Sequence, residues 1–139
     1  MARTAAWLAK QVELGLADVD LSLPQYRILS FLAEGSAISK AMADRLAVRP
    51  PSVTAVVDGL VHRGFIERHP GDGDRRVVSH GLTDKGSRTL AEADRAVAAR
   101  LVAIARCLPD PGRDEAALDG LVLWSEALVA YRDAKAAGG

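Results

Sequence analysis

Residues 64–83, GFIERHPGDGDRRVVSHGLT, decide the fold that this sequence predicts. Two short runs at residues 65–68 and 77–80 are rich in β-branched and aromatic side chains, which favour strands. Between them lie Gly71 and Gly73 in a polar segment, where glycines favour a tight turn. The stretch therefore predicts a β-hairpin with a short charged loop.

The segment before this hairpin predicts a helix-turn-helix. Residues 39–46 and 50–63 each place apolar side chains at three- and four-residue steps, as a half-buried helix does. Pro50 and Pro51 fit the first turn of the second helix, where a missing N–H has no helical partner. Gly64 ends that helix. A helix-turn-helix followed at once by a hairpin is typical of a winged helix, a fold that binds DNA.

Helical segments also flank the winged helix. Apolar residues recur at helical spacing over residues 4–20, from Thr83 to about 107, and again from about 115 to 134. The apolar faces are wider than a lone chain of 139 residues is expected to cover. We predict a mainly α fold with a small β-hairpin wing. Residues 1–20 and 88–139 would form a helical dimerisation region, and residues 21–87 a winged helix-turn-helix DNA-binding lobe.

The composition is that of an ordinary globular protein, with 49% apolar and 26% charged residues. No apolar run approaches the roughly 18–20 residues that span a bilayer, and the first residues lack the pattern of a signal peptide. We therefore expect a cytoplasmic protein with no membrane partner. The single Cys107 excludes an internal disulfide, and the three histidines lack paired zinc-ligand spacing, so no metal or cofactor is expected.

Charge is distributed unevenly along the chain, although the formal net charge is zero. Residues 36–88 carry nine Lys and Arg against six Asp and Glu, a local net charge of +3, and the flanks balance it. Phosphate attraction acts over about 8–10 Å, so a local excess of this kind suffices to attract DNA. Because the excess is small, binding should be salt-sensitive and of modest affinity.

The helix that begins at Pro50 is the predicted reader helix, because an α-helix fits the major groove, where base edges differ. Ser52 and Thr54 lie in or near its first turn, although Ser52 could instead cap its own helix. The predicted DNA-binding residues on and beside this helix are Lys40, Arg49, Pro51, Ser52, Thr54, Ala55 and Asp58.

The hairpin loop contributes a second set of predicted contacts. Arg75 and Arg76 follow the glycines and suit insertion into a narrow minor groove, which concentrates negative potential. Asp74 is expected to support the wing by holding one guanidinium in a bidentate pair. An ordinary solvated loop is the alternative interpretation of these residues.

The chain resembles the multiple-antibiotic-resistance regulator (MarR) family of bacterial transcription factors. The resemblance covers about residues 21–90, and the order of its motifs is more specific than any one of them. These motifs are LSLPQ (21–25), MADRL (42–46), PSVT (51–54), LVHRGFIER (60–68), DRR (74–76) and LTDKG (82–86).

The resemblance implies a homodimer with interlocked terminal helices, bound to a pseudo-palindromic operator in double-stranded DNA. It also implies a repressor that a small aromatic or phenolic effector relieves, with a pocket between the dimerisation helices and the DNA-binding lobe. Pocket candidates are Trp7 and Gln11 on the first helix, Tyr26 on the second and Arg100 on the fifth. Ala55 and Gly59 depart from the family, whose reader helices often carry arginine there.

Two other interpretations compete with a DNA-binding regulator. A winged helix used only for dimerisation or protein contact is favoured by the neutral charge and by Ala55 and Gly59. An enzyme is disfavoured, because no catalytic triad, metal cluster or phosphate-binding loop is visible. Cys107 is predicted to be a small buried side chain, with a redox role beside Arg106 as the alternative.

Overall fold

The computed structural model describes residues 1–71 and 77–139. In these ranges the chain forms six helices and a small three-stranded sheet, which confirms the predicted mainly α fold. The elements in order are α1 (Ala2–Ala17), α2 (Leu23–Leu32), β1 (Ala37–Ile38), α3 (Ser39–Leu46), α4 (Pro50–His62), β2 (Ile66–Pro70), β3 (Val78–Leu82), α5 (Asp84–Ala105) and α6 (Arg113–Ala137).

Local signals in the sequence set several helix ends. Ser22 and Gln25 form a reciprocal capping box at the start of α2, which satisfies two otherwise unpaired N–H groups. At the end of α4, Gly64 adopts a φ of 79°, a conformation that glycine takes without strain. The hydroxyl of Thr83 accepts a hydrogen bond from the Gly86 N–H at 3.0 Å and so caps α5.

The sheet has the strand order β1-β3-β2, and both pairings are antiparallel. The hairpin strands lie one or two residues further along the chain than the sequence predicts. The short strand β1 was not predicted. It pairs Ala37 with His80 and Ile38 with Ser79, so it attaches the start of α3 to the hairpin.

The chain forms two compact units, residues 1–97 and 98–139. The core of the first unit lies among the end of α1, helices α2, α3 and α4, and the sheet. Its fully buried large side chains are Leu16, Leu29, Met42, Val53, Val57, Leu60 and Ile66. Because α4 contributes three of these, its inward face is fixed by packing, and its opposite face is left to solvent.

Close backbone contact joins the hairpin to the start of α5 in the first unit. Gly86 lies so near Phe65 that a Cβ atom there would overlap the Phe65 carbonyl oxygen. Thr83 strengthens the same junction, because its hydroxyl donates to the Gly64 carbonyl at 2.6 Å. These contacts therefore fix the direction in which α5 leaves the hairpin.

The second unit contains the end of α5 and the whole of α6, and α6 has no buried residue. Cys107 lies in the turn after α5, which ends at Ala105, so its side chain is exposed and the predicted burial is wrong. No described helix has both the length and the apolar character needed to cross a membrane. The functional division into residues 1–20 with 88–139 and residues 21–87 stays a prediction.

Candidate nucleic-acid interface

The solvent-facing side of helix α4 carries mainly small or polar side chains. Val53, Val57 and Leu60 turn inward and are at most 1% exposed. Residues on the other side, spaced at three and four, are all exposed: Ser52, Ala55, Asp58, Gly59 and His62. A face of this kind allows close approach of a partner, because few side chains project from it.

The predicted reader residues at the start of α4 are exposed, and the structure gives two of them local bonds. Arg49 is the N-cap residue of α4, where no side chain caps the helix. Ser52 is therefore not the cap, and its backbone N–H donates to the Arg49 carbonyl at 3.0 Å. The Thr54 hydroxyl donates to the Pro50 carbonyl at 3.1 Å and keeps its lone pairs for a donor outside the helix.

Two predicted cations lie at helix starts. Lys40 is exposed in the first turn of α3, and Arg49 is exposed just before α4. Helix N-termini attract anions, because their unpaired N–H groups and the helix dipole carry partial positive charge. At α4 the first two helical residues, Pro50 and Pro51, have no N–H, and the Ser52 N–H donates to Arg49, so the exposed Arg49 side chain is the group that suits a phosphate there.

Asp58 has a partner that the sequence did not predict. Its carboxylate accepts a hydrogen bond from the guanidinium of Arg68 on β2. Side chains on both partners remain partly exposed. Asp58 and Arg68 are ten residues apart with a helix end between them, so no sequence spacing predicts their contact. Only the fold shows that they meet.

Predicted wing residues Asp74, Arg75 and Arg76 lie outside the described residues, and their roles stay predictions. The described ends of the hairpin are closed by a 2.7 Å hydrogen bond from the Gly71 N–H to the Val77 carbonyl.

Other cations of the first unit are held within the fold. The Arg63 guanidinium lies 4.6 Å from the centre of the Phe65 ring, and the Lys85 ammonium lies 5.3 Å from it. Lys85 also donates to the Arg63 carbonyl at 3.1 Å. These contacts fix the two cations at the junction of α4, β2 and α5, and the sequence did not single them out.

Of the four predicted effector-pocket residues, Tyr26 lines a described cavity of the first unit. Trp7 is exposed on α1, and Tyr26 lines a shallow pocket of about 270 Å³ together with Arg27 and Arg45. The effector pocket therefore stays a prediction.

The larger cavity of the first unit has a volume of about 440 Å³. It lies between α2, the hairpin and α5, with Leu32 and Leu90 among its apolar residues. Its polar residues include Glu67, His69 and Asp94. His69 and Glu67 face each other, with 3.2 Å between Nε2 and a carboxylate oxygen.

Comparison with known proteins places the sequence among winged-helix regulators. Residues 21–78 match the model of the MarR family. A HTH-type transcriptional regulator of Mycobacterium leprae, itself uncharacterized, is 37% identical over 90 residues, which are 64% of this chain and 63% of that protein. The HTH-type transcriptional repressor MdtR of Bacillus subtilis is 36% identical over 59 residues, which are 42% of this chain and 38% of MdtR. The chain thus spans less than two thirds of the length of these curated relatives.

Solved structures extend the match beyond the winged helix. The transcriptional repressor CouR, bound to a 23-mer DNA duplex, is 29% identical with a TM-score of 0.73, covering 93% of this chain and 88% of CouR. Apo MarR from E. coli has the same fold, with a TM-score of 0.73 at 21% identity, covering 90% of this chain and 95% of MarR. The similarity therefore includes the helices at both ends.

Proposed function

Because this chain belongs to the MarR family, we propose that it is a DNA-binding transcriptional regulator that acts in the cytoplasm. We further propose that it works as a homodimer on a pseudo-palindromic operator in double-stranded DNA. Its role would be that of a repressor, relieved when a small aromatic or phenolic effector binds.

The outer face of α4 is the observation that carries this proposal. It is exposed along the whole helix, and the hairpin strands follow immediately after it. Placed in a major groove, this helix would bring Ser52, Thr54 and Ala55 to the base edges, since a hydroxyl can donate or accept there and a methyl group can contact thymine. Arg49 and Lys40 would contact the phosphates that fix the register.

The exposed apolar surface of α6 supports the homodimer. Leu123, Trp124, Leu128 and Tyr131 are each 63–69% exposed in the single chain. A cluster of exposed large apolar side chains on one helix is typical of an interface rather than of solvated surface. A second copy of the chain would cover it, and two-fold symmetry would then place two reader helices on successive major grooves.

Selection of bound fragments from genomic DNA tests the operator. We expect a recovered site with two inverted half-sites whose centres lie about 10 base pairs apart, one helical turn. Fluorescence titration of that duplex over a salt series should show affinity that falls steeply with salt, as phosphate contacts require.

Replacement of one wing arginine tests the wing. Arg76→Ala should weaken operator binding strongly while the protein stays folded and dimeric. Arg95→Ala, which removes an exposed arginine of α5, is the matched control and should bind as the unmodified protein does. Equal binding by all three proteins would remove the wing from the interface.

A winged helix that serves only protein contact is the second candidate function. The zero net charge favours it, as do Ala55 and Gly59, which leave the exposed face of α4 poor in cations. If no duplex is bound with salt-dependent affinity, this candidate replaces the regulator.

A further inference from the structure

The ion pair between Asp58 and Arg68 connects the predicted reader helix to the first strand of the hairpin. Asp58 lies on the exposed face of α4, and Arg68 lies on β2. The Arg68 Nη2 donates to the Asp58 Oδ1, and the side chains are 44% and 57% exposed, respectively. The one acid on the outer face of this helix is therefore already engaged by a cation.

Arg68 is in turn connected to the rest of the sheet. It pairs across the strands with His80 of β3, which is 4% exposed. The His80 Nδ1 lies 3.3 Å from the carbonyl oxygen of Ala37 in β1. Arg68 thus contacts Asp58 of the reader helix and pairs with His80, a buried residue that connects the three strands. Arg68 can therefore hold the reader helix and the sheet in a fixed relative position.

The pair contributes little to the stability of the free protein. Exposed ion pairs contribute at most about 1 kcal/mol, because water screens the charges. In a DNA complex the situation differs. Phosphates repel an uncompensated carboxylate on the reader helix, and exclusion of water strengthens the interaction of the two partners.

We propose that Asp58 is a positioning residue that reads no base itself: it holds Arg68 and so fixes the hairpin strands against α4 for DNA binding. Arg68 in return neutralises the only carboxylate on the outer face of α4. The inference rests on the proposed DNA-binding function. It differs from the prediction that Asp58 contacts DNA directly, for example by accepting a hydrogen bond from a cytosine amino group.

A double-mutant cycle in the full-length chain tests the proposal. The probe is the duplex that the unmodified protein selects from a random-sequence library, and a scrambled duplex of equal length measures non-specific binding. Kd is measured at one salt concentration for the unmodified protein, Asp58→Asn, Arg68→Gln and the double variant. Circular dichroism and gel filtration establish that each variant is folded.

Arg68→Gln should give the largest loss of affinity, because it leaves Asp58 uncompensated beside phosphates. Adding Asp58→Asn to it should recover affinity by about tenfold, a coupling within the range of contacting residues. Arg68→Lys, which keeps the charge but not the planar fork, should bind better than Arg68→Gln and serves in its place if Arg68→Gln does not fold. Glu67→Gln removes a carboxylate next to Arg68 on the same strand and is the matched control.

The opposite results overturn the proposal. If the losses from Asp58→Asn and Arg68→Gln simply multiply, the two residues act independently. If Asp58→Asn changes the selected sequence at a single base pair of each half-site and Arg68→Gln does not, Asp58 reads that base. If the unmodified protein binds neither duplex with salt dependence, the proposed function itself fails, which the first titration reveals before any variant is made.

Discussion

The hydroxyl of Tyr26 on α2 donates a 2.6 Å hydrogen bond to the Asp94 carboxylate on α5. The two residues are 68 positions apart, so the bond fixes α5 to the winged-helix core within the first unit. Burial, together with the bond to Asp94, raises the pKa of Tyr26 to about 12. The bond is thus a polar contact between α2 and the middle of α5.

Tyr26→Phe should destabilise the first unit by about 1 kcal/mol, the usual net value of one hydrogen bond. It should also change the response to alkali. A folded-state pKa raised above 10 gives stability that is present below pH 10 and is lost as the pH rises through about 12. Urea unfolding at several pH values measures both effects.

Tyr131→Phe is the matched control for Tyr26→Phe, because Tyr131 is 69% exposed on α6. It should leave the alkaline loss of stability unchanged. An alkaline profile that is the same in Tyr26→Phe and the unmodified protein would contradict the role given to Tyr26.

His80 predicts a second pH dependence, on the acid side. Burial lowers its pKa below 6.5, and the nearby Ala37 carbonyl only partly opposes this. The unfolded chain then binds more protons than the folded chain, so stability should be complete above pH 6.5 and decrease as the pH falls below it. His80→Gln should reduce this decrease, measured by urea unfolding between neutral and mildly acidic pH. His62→Gln, on the exposed face of α4, should leave it unchanged.

Gly86 and Gly59 make a matched pair for backbone packing. A Cβ atom at Gly86 would lie 2.9 Å from the Phe65 carbonyl carbon, whereas one at Gly59 would meet nothing within 4 Å. Gly86→Ala should therefore destabilise the protein by about 3 kcal/mol, as overpacking does. Gly59→Ala should stabilise it by up to about 1 kcal/mol through helix propensity. Thermal unfolding of both variants is the measurement, and equal melting temperatures would contradict the contact with Phe65.

The sequence predicted those features that depend on residues close together in the chain. The spacing of Val53, Val57 and Leu60 predicted the buried face of α4, and the family motifs predicted the winged helix. The sequence did not predict contacts between residues that are far apart in the chain. Strand β1 has only two residues and exists through its pairing with Ser79 and His80 some 40 positions later. The Asp58–Arg68 pair has the same character, because only the fold brings its helix and strand together.

The open space at Gly59 also predicts a gain of function. Gly59→Arg would place a cation on the outer face of α4 without a steric conflict. If this face meets DNA, affinity should rise, and the slope of log affinity against log salt should steepen by about 0.9 for each additional phosphate that the arginine neutralises. Gly59→Ala separates the charge from the helix propensity and should leave the salt slope unchanged. No change in slope with arginine would indicate that Gly59 lies outside the interface.

The exposed apolar side chains of α6 predict an oligomer, and charged residues introduced on this helix should dissociate it. Trp124 and Leu128 lie one helical turn apart and are 66% and 63% exposed. Light scattering should give the unmodified protein twice its chain mass of 14.7 kDa. Trp124→Glu with Leu128→Glu should give a monomer, because two carboxylates would be buried without partners in the interface.

Asp119→Asn with Glu126→Gln is the control for this double substitution, since it changes two exposed polar residues of the same helix without adding charge. It should leave the mass unchanged. If the Trp124 and Leu128 variant keeps the mass of the unmodified protein, α6 does not form the interface in solution. If it becomes a monomer and also loses operator affinity, the two half-sites are bound by a dimer, because a monomer contacts one half-site only.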